Sequence, residues 1–464
     1  MPPSTKNQRE RDDLAPVIAS SYEVVNYKGV LYIPADFETL ERHVTPAPER
    51  KVWLPFTHKM IRMTARHHDL SFRDDRELSS FRYQMEAEAI DVTQEVSELL
   101  IRTDDGLRML TNKGSLVPAT GQFVPNYLPI KMNTDPELKE QVMELLIEWV
   151  DDDEEAMSLL HHLATTLAPH WSAVKYVLLI GEGRNGKSLL MEMIERIFGE
   201  ENCSHVTRQQ ISESNPVVTE VMGKLVNIVK DGPASYLKDS GNEKSLIAGE
   251  EIPIRRLYQN QPTMVSTNGL FIEGLNREPK SRDKSSALQS RLARFEFPNV
   301  YQEDRMFYRW ATSPKVTGAL LALMVDNYVR EHEIQIMLAP TARSIELKLD
   351  HMISNSAELQ FLMWLEDNGG PDGADELIGK DMRVIVQKFK SWRVMLGDIG
   401  VYSDDDVARN LRTVVQVGPR RSTRQNNKVV KVRTVEGFKP DAARVLAHHR
   451  AVEVMEDDNT VVDE

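Results

Sequence analysis

The clearest alternation of apolar and polar positions lies in the middle of the chain. Tyr176-Val177-Leu178-Leu179-Ile180 is an unbroken apolar run and reads as a buried strand. A glycine-rich polar stretch follows. Leu189, Leu190, Met193, Ile194, Ile197 and Phe198 then recur at helical spacing, and Gly199 ends the predicted helix. Leu225 to Val229 reads as a second buried strand. Met264-Val265-Ser266-Thr267-Asn268-Gly269 reads as a third, and a further apolar strand follows Arg291.

Upstream, Tyr22 to Ile33 reads as two strands around a Lys28-Gly29 turn, and roughly 85–101 reads as helix. Leu110 to Val117 has turn chemistry between short strands. Asp135-Pro136-Glu137 is a helix start, with Asp as N-cap and Pro at the first position. That helix carries Val142, Leu145, Leu146, Trp149 and Val150 on one face. A second helix, about 156–167, ends before Pro169. Downstream, Gly369 to Gly373 reads as a linker. Beyond it come a helix over 381–395, a second from Asp404 to Val414, and strands flanking Pro419 to Asn427. That order suits a winged helix.

The expected organisation is therefore a disordered arm (1–16), an N-terminal module of strands then helices (17–170) and a P-loop domain (171–340). A helix and linker (341–374), a winged-helix-like domain (375–450) and an acidic tail (451–464) follow.

Composition narrows the class without naming a chemistry. Of 464 residues 41% are hydrophobic and 28% charged, as in an ordinary globular protein. No apolar run approaches the ~20 residues that cross a bilayer, so no membrane partner is expected. The polar start is not a secretory signal. The single cysteine, Cys203, allows no internal disulfide, and a cytoplasmic setting is expected, a host's if the source is viral. The net charge of −14 argues against nucleic acid covering the whole surface. It leaves room for local basic sites. Residues 411–440 hold eight Lys or Arg and one acid, a local charge of +7.

The stretch between the first strand and helix is Gly181-Glu182-Gly183-Arg184-Asn185-Gly186-Lys187-Ser188, followed by Leu189. It has the phosphate-loop form G-x-x-x-x-G-K-[ST]. Backbone N–H groups cradle phosphates, Lys187 reaches the β- and γ-phosphates, and the Ser188 hydroxyl ligates Mg²⁺. ATP and Mg²⁺ are the expected cofactors. Such a loop needs an acid at the end of a neighbouring strand. Asp231, two residues past Val229, fits as metal ligand and water-polarising group; a surface turn is the other reading. Asn268 at the tip of the third strand fits a residue that positions the attacking water, or a plain turn former. Arg291 fits an arginine supplied across a subunit boundary, or a surface ion pair.

Taken in order, these segments resemble superfamily 3 helicases, in particular the helicase portion of phage, plasmid and poxvirus primase-helicases. Lys224 to Asp231 is similar to that family's acidic strand, with Lys230 where many relatives carry a first acid. Lys244-Ser-Leu-Ile-Ala-Gly249-Glu250 is similar to the segment leading into its DNA-facing hairpin, which here would hold Arg255, Arg256 and Tyr258. Asn268 falls on its sensor asparagine, although the proline usual two or three residues later is missing. Arg291 falls on its arginine finger, with Ser290 where the first arginine of a pair would stand. Asn112 to Val124 is similar to a turn region of its N-terminal helical module.

The resemblance implies an α/β fold with an AAA+-like P-loop ATPase domain. It implies a hexameric homo-oligomer, 3′ to 5′ movement on single-stranded DNA, and unwinding of forked DNA during phage or plasmid replication. Residues 1–100 are too short for a primase, so a separate primase or polymerase is an expected partner. Lys244, Arg255, Arg256 and Tyr258, and on the winged-helix-like domain Arg420, Arg421, Arg424 and Lys428, are the candidate DNA contacts. Two rivals remain. One is an ATP-switched initiator or loader that binds origin DNA; the other is a P-loop kinase of a small molecule.

Overall fold

The computed structural model describes residues 4–38, 47–94, 96–167, 176–233, 241–255, 262–280, 286–334, 340–398, 400, 402–425 and 428–460. It is a mixed α/β chain that packs as two compact units. One comprises residues 1–283 with 290–344; the other comprises 284–289 with 345–464.

The first unit begins with a helix, Ser4–Ser21, where an arm without structure was expected. Ala15, Ile18 and Ala19 explain the difference. They recur at helical spacing and are buried with Val24, Leu31 and Phe81. Two small sheets follow. β1 (Val25–Tyr27), β2 (Val30–Asp36), β3 (Lys51–Pro55) and β4 (Ile90–Asp91) form one, in the order β3-β2-β1-β4. The β1–β2 turn falls at Lys28-Gly29, as the pattern predicts. β5 (Leu99–Thr103), β6 (Gly106–Leu110), β7 (Leu116–Pro118) and β8 (Asn126–Lys131) form the other. The helix expected over 85–101 is instead Asp75–Glu88, and its apparent continuation is β4 and β5.

The helix Pro136–Val150 starts where expected. Asp135 accepts from the Glu137 N–H at 3.0 Å, and the five residues of its apolar face are all buried. The helix Asp153–Ala164 follows and continues as a 3₁₀ turn, Thr165–Leu167.

A five-stranded sheet forms the centre of the first unit. Its strands are β9 (Tyr176–Ile180), β10 (Cys203–Ser204), β11 (Val226–Val229), β14 (Leu270–Leu275) and β15 (Leu292–Glu296). Among the described residues β12 (Ile252–Ile254) and β13 (Thr263–Val265) pair with each other alone, as an antiparallel hairpin. Every pairing in the central sheet is parallel, in the order β10-β11-β14-β9-β15. Parallel strands buried on both faces read as continuous apolar runs, which is why β9 was legible. Tyr176 to Leu179 are fully buried. The helix Lys187–Phe198 packs on one face through Leu190, Met191, Ile194 and Phe198. Each such side chain contributes about 1.5–3 kcal/mol by burial.

The second unit holds the helices Ala357–Asn368, Met382–Met395, Asp404–Leu411 and Pro440–Thr460. Four strands stand between the last two: β16 (Val415–Val417), β17 (Arg421–Gln425), β18 (Lys428–Val432) and β19 (Val435–Phe438). β17 and β18 form a hairpin, and β16 pairs with β19. Helix, helix and strands appear in the expected order, with two strands more than expected. Gly369–Gly373 lies inside this unit rather than between units. The Ala374 N–H there donates to Glu366 at 2.9 Å, and Arg450 binds the same carboxylate at 2.6 Å.

Candidate functional site

The residues 181–188 join the end of β9 to the helix Lys187–Phe198. Parallel pairing makes all strands of the sheet end on the same side, so the loops after β9, β11 and β14 meet there. Gly183 to Leu189, Asp231 and Asn276 line one cavity of about 640 Å³.

Local forces fix the loop. Asn185 is buried; its amide donates to the Phe297 carbonyl at 3.0 Å, and its Oδ1 accepts from Lys187 Nζ at 2.7 Å. The Tyr301 N–H donates to the Arg184 carbonyl at 2.8 Å. Arg184 itself has φ +59°, a left-handed conformation that a side chain rarely adopts. Gly186 lies on the indole of Trp149, and a β-carbon there would stand 2.5 Å from Trp149 Nε1. The apolar face of Pro136–Val150 thus forms the floor of the loop.

The cavity holds charges of both signs. Lys187 is only 6% exposed. Its burial lowers the ammonium pKa, and Asp231 opposes that shift from across the cavity. Ser188 is exposed at the first turn of the helix, where N–H groups and the helix dipole favour anions. Among the described residues no group of three or more His, Cys, Asp or Glu could by itself hold a metal. Ser188 and Asp231 both line the cavity and could hold one together with a bound phosphate. That sparse set fits Mg²⁺, which takes its other ligands from phosphates and water.

Lys230, standing where an acidic pair would have its first member, also lines the cavity but is held by carboxylates. Its ammonium pairs with Glu195 at 2.5 Å and approaches Glu192 to 4.0 Å, both on the helix after the loop.

Asn268 is misplaced by the sequence reading and requires correction. The apolar run Met264–Val265 belongs to the separate β12–β13 hairpin, while the sheet strand is β14. Asn268 precedes β14, and Leu275 pairs with Ile180 at its other end. At about 3.3 Å per residue, Asn268 is roughly 20 Å from the phosphate loop. It lines a small cavity of about 110 Å³ with Tyr32, Lys224 and Asn126 instead. Asn276, directly after β14, lines the cavity of the loop. Pro279 stands three residues beyond it, the spacing that was missing after Asn268. Glu273 and Gly274 interrupt the apolar run of β14 and hid it.

Arg291 is half-buried just before β15, and its carbonyl accepts from the Tyr176 N–H at 2.9 Å. It is therefore at the sheet end opposite the loop and does not line the cavity.

Behind the acidic loop lies a buried polar cluster that the sequence did not reveal. Arg208 and Glu243 pair at 2.8 Å with almost no exposure. Glu273 is 1% exposed, and Tyr176 beside it is fully buried. Burial pushes the Glu273 carboxyl up to about 7, against the pull of Arg208. Arg208 stays charged: burial works against it, and Glu243 and Glu273 outweigh that.

The candidate DNA contacts fall in both units. Lys244 lies on the helix Gly241–Ile247, which leads into β12. Arg255 is exposed at the end of β12; Arg256 and Tyr258 lie outside the described residues. Arg420 and Arg421 are exposed at the start of β17, while Arg424 and Lys428 sit on β17 and β18. Cys203 is buried, and burial pushes its thiol up to about 12, so it is not a reactive group. No helix among the described residues is long and apolar enough to cross a membrane.

Residues 179–291 match a family model described as a family of unknown function, DUF5906. No curated protein matches. Among solved structures, one titled the A form apo structure of the NrS-1 C terminal region is similar. It is 14% identical, with a TM-score of 0.48, over 91% of this chain and 97% of that one. Another, titled the apo structure of the NrS-1 C terminal region, is 15% identical, with a TM-score of 0.48, over 92% of this chain and 99% of that one.

Proposed function

We propose that this chain is an ATP hydrolase of the AAA+-like P-loop kind and that it drives a DNA helicase. The observation that carries the reading is the convergence of Lys187, Ser188, Asp231 and Asn276 on one cavity at the ends of parallel strands. In this reading the loop N–H groups and Lys187 hold the β- and γ-phosphates. Ser188 and Asp231 hold Mg²⁺, which neutralises charge developing on the transferred phosphoryl group. Asp231 and Asn276 orient the attacking water. Catalysis is positioning and electrostatic stabilisation, with no covalent step required of the protein.

The motor part of the proposal is a hexameric ring on single-stranded DNA, with Arg291 reaching the site of the next subunit. The hairpin β12–β13 supports it, since Arg255 stands exposed at its end. Lys187→Ala should abolish ATP hydrolysis, and the intact protein should unwind a forked duplex only with ATP. Normal hydrolysis by the variant would remove the site assignment.

One observation favours a second reading. The basic stretch 411–440 carries +7 and includes the β17–β18 hairpin after two helices, an arrangement suited to duplex binding. An ATP-switched initiator or loader would use it to bind origin DNA. Sequence-specific duplex binding, with ATPase but no strand displacement, would select that reading.

A further inference from the structure

The cavity at the loop is larger than phosphates need. Its volume of about 640 Å³ falls within the ~300–1,000 Å³ range of pockets that enclose a whole small ligand. The loop, Asp231 and Asn276 form one wall. Another part of the lining comes from the segment 301–308, which no motif singles out.

That segment contains two aromatic side chains that the fold does not cover. Phe307 is 37% exposed and Tyr308 is 43% exposed. Neither is loose. Asp304 caps the helix Arg305–Ala311 by accepting from the N–H groups of Met306 at 2.7 Å and Phe307 at 3.2 Å. The Phe307 ring packs on Trp310 at 5.6 Å and 31°. The Tyr308 hydroxyl donates to Glu192 at 2.7 Å, and Arg196 holds the same carboxylate at 2.9 Å. Tyr301 ties the segment to the loop through Arg184 and, by its hydroxyl, to the Glu148 carbonyl at 2.9 Å. A rigid aromatic surface therefore stands at a fixed offset from the phosphate cradle. The part of the Phe307 ring that stays exposed beside charged groups suits a flat aromatic ligand.

We propose that the segment 301–308 is the nucleobase end of the site, with the ring of Phe307 as the platform on which a purine base stacks. The inference rests on the reading of 181–188 as a triphosphate loop. A purine is favoured over a pyrimidine because its larger ring system covers more of the platform. Tyr308 and Arg305 line the same part of the cavity.

Titration calorimetry on the full chain with Mg²⁺ tests this, using ATP, CTP and inorganic tripolyphosphate as probes. Phe307→Ala should weaken ATP binding by about 5- to 150-fold, the loss of one base–aromatic stack. It should leave tripolyphosphate binding unchanged. Phe307→Trp should retain ATP binding, and wild type should prefer ATP to CTP. ATP affinity within twofold of wild type in Phe307→Ala would overturn the base site while leaving the loop reading intact. Equal weakening of ATP and tripolyphosphate would also overturn it, by showing that the ring only shapes the loop. Failure of wild type to bind either ATP or tripolyphosphate would instead remove the triphosphate reading itself.

Discussion

Gly232 lies directly on the buried carboxylate of Glu273. A β-carbon at Gly232 would stand 2.2 Å from Glu273 Oε1, inside any real contact distance. The residue before Gly232 is Asp231, which faces the phosphate loop. The position of the acid in the cavity is thus set from behind, by a side chain on β14.

Gly232→Ala should consequently push the acidic loop away from the phosphates without touching Lys187 or Ser188. A displacement of ~1 Å at a catalytic group can cost ~10²-fold in rate. We expect kcat for ATP hydrolysis to fall about 10- to 100-fold while ATP affinity stays within about threefold. Steady-state kinetics beside equilibrium binding measures both. An equal loss in affinity would show that the loop had collapsed as a whole.

Glu273 also predicts a pH dependence of stability. Its folded value, about 7, lies above the ordinary 4.5. Between those values the folded chain keeps a proton that the unfolded chain has released. The contribution is therefore fully present below about pH 4.5 and is lost as pH rises through about 7, by at most about 3 kcal/mol. Arg208 opposes the shift; Glu243 and Glu278 reinforce it. Glu273→Gln keeps the neutral form at every pH. Thermal melts from pH 5 to 8 should fall for wild type and flatten for the variant. Parallel curves would assign the dependence elsewhere.

The two asparagines give a sharp contrast. Asn276→Ala should lower kcat about 10²-fold, as removal of a preorganised polar group does. Asn268→Ala, at the other end of the sheet, should leave ATP hydrolysis unchanged. Normal turnover of Asn276→Ala would show that the cavity works without it.

How much of this was legible depended on whether a signal was local. β9, the loop and the helix after it form one contiguous strand–turn–helix, so periodicity and turn chemistry sufficed. Asp231 could be placed at a strand end because β11 is apolar at every position but Asn227. β14 was missed because its burial comes from neighbours on both sides. With strands at either edge and helices above, it tolerates Glu273 and Gly274, which a hydrophobicity scan reads as a break. The nearby Met264–Val265 run drew the assignment instead, and its pairing with β12 could not be seen from spacing. The same holds for the N-terminal helix, where buried Ala15, Ile18 and Ala19 follow a charged, unpromising start. The Arg208–Glu243–Glu273 cluster joins residues from three separate segments, so no window along the chain could show it.

Arg291 supplies the last prediction, which separates two roles for it. It stands at the sheet end away from its own loop 181–188, so it does not reach the site of its own chain. In a head-to-tail ring it can instead complete the site of the neighbour, a contribution worth about 10³–10⁵ in rate. Lys187→Ala and Arg291→Ala should each abolish turnover, and Arg291→Ala should still bind ATP. Mixing the two inactive proteins separates the roles. At an interface where an Arg291→Ala subunit offers its intact loop, a Lys187→Ala neighbour offers the intact arginine. Random heterologous assembly makes about one quarter of interfaces productive. Recovery of ATPase activity to roughly that fraction is expected, measured after subunit exchange. A mixture that stays inactive, with exchange verified by mass, would make Arg291 a structural residue of its own chain.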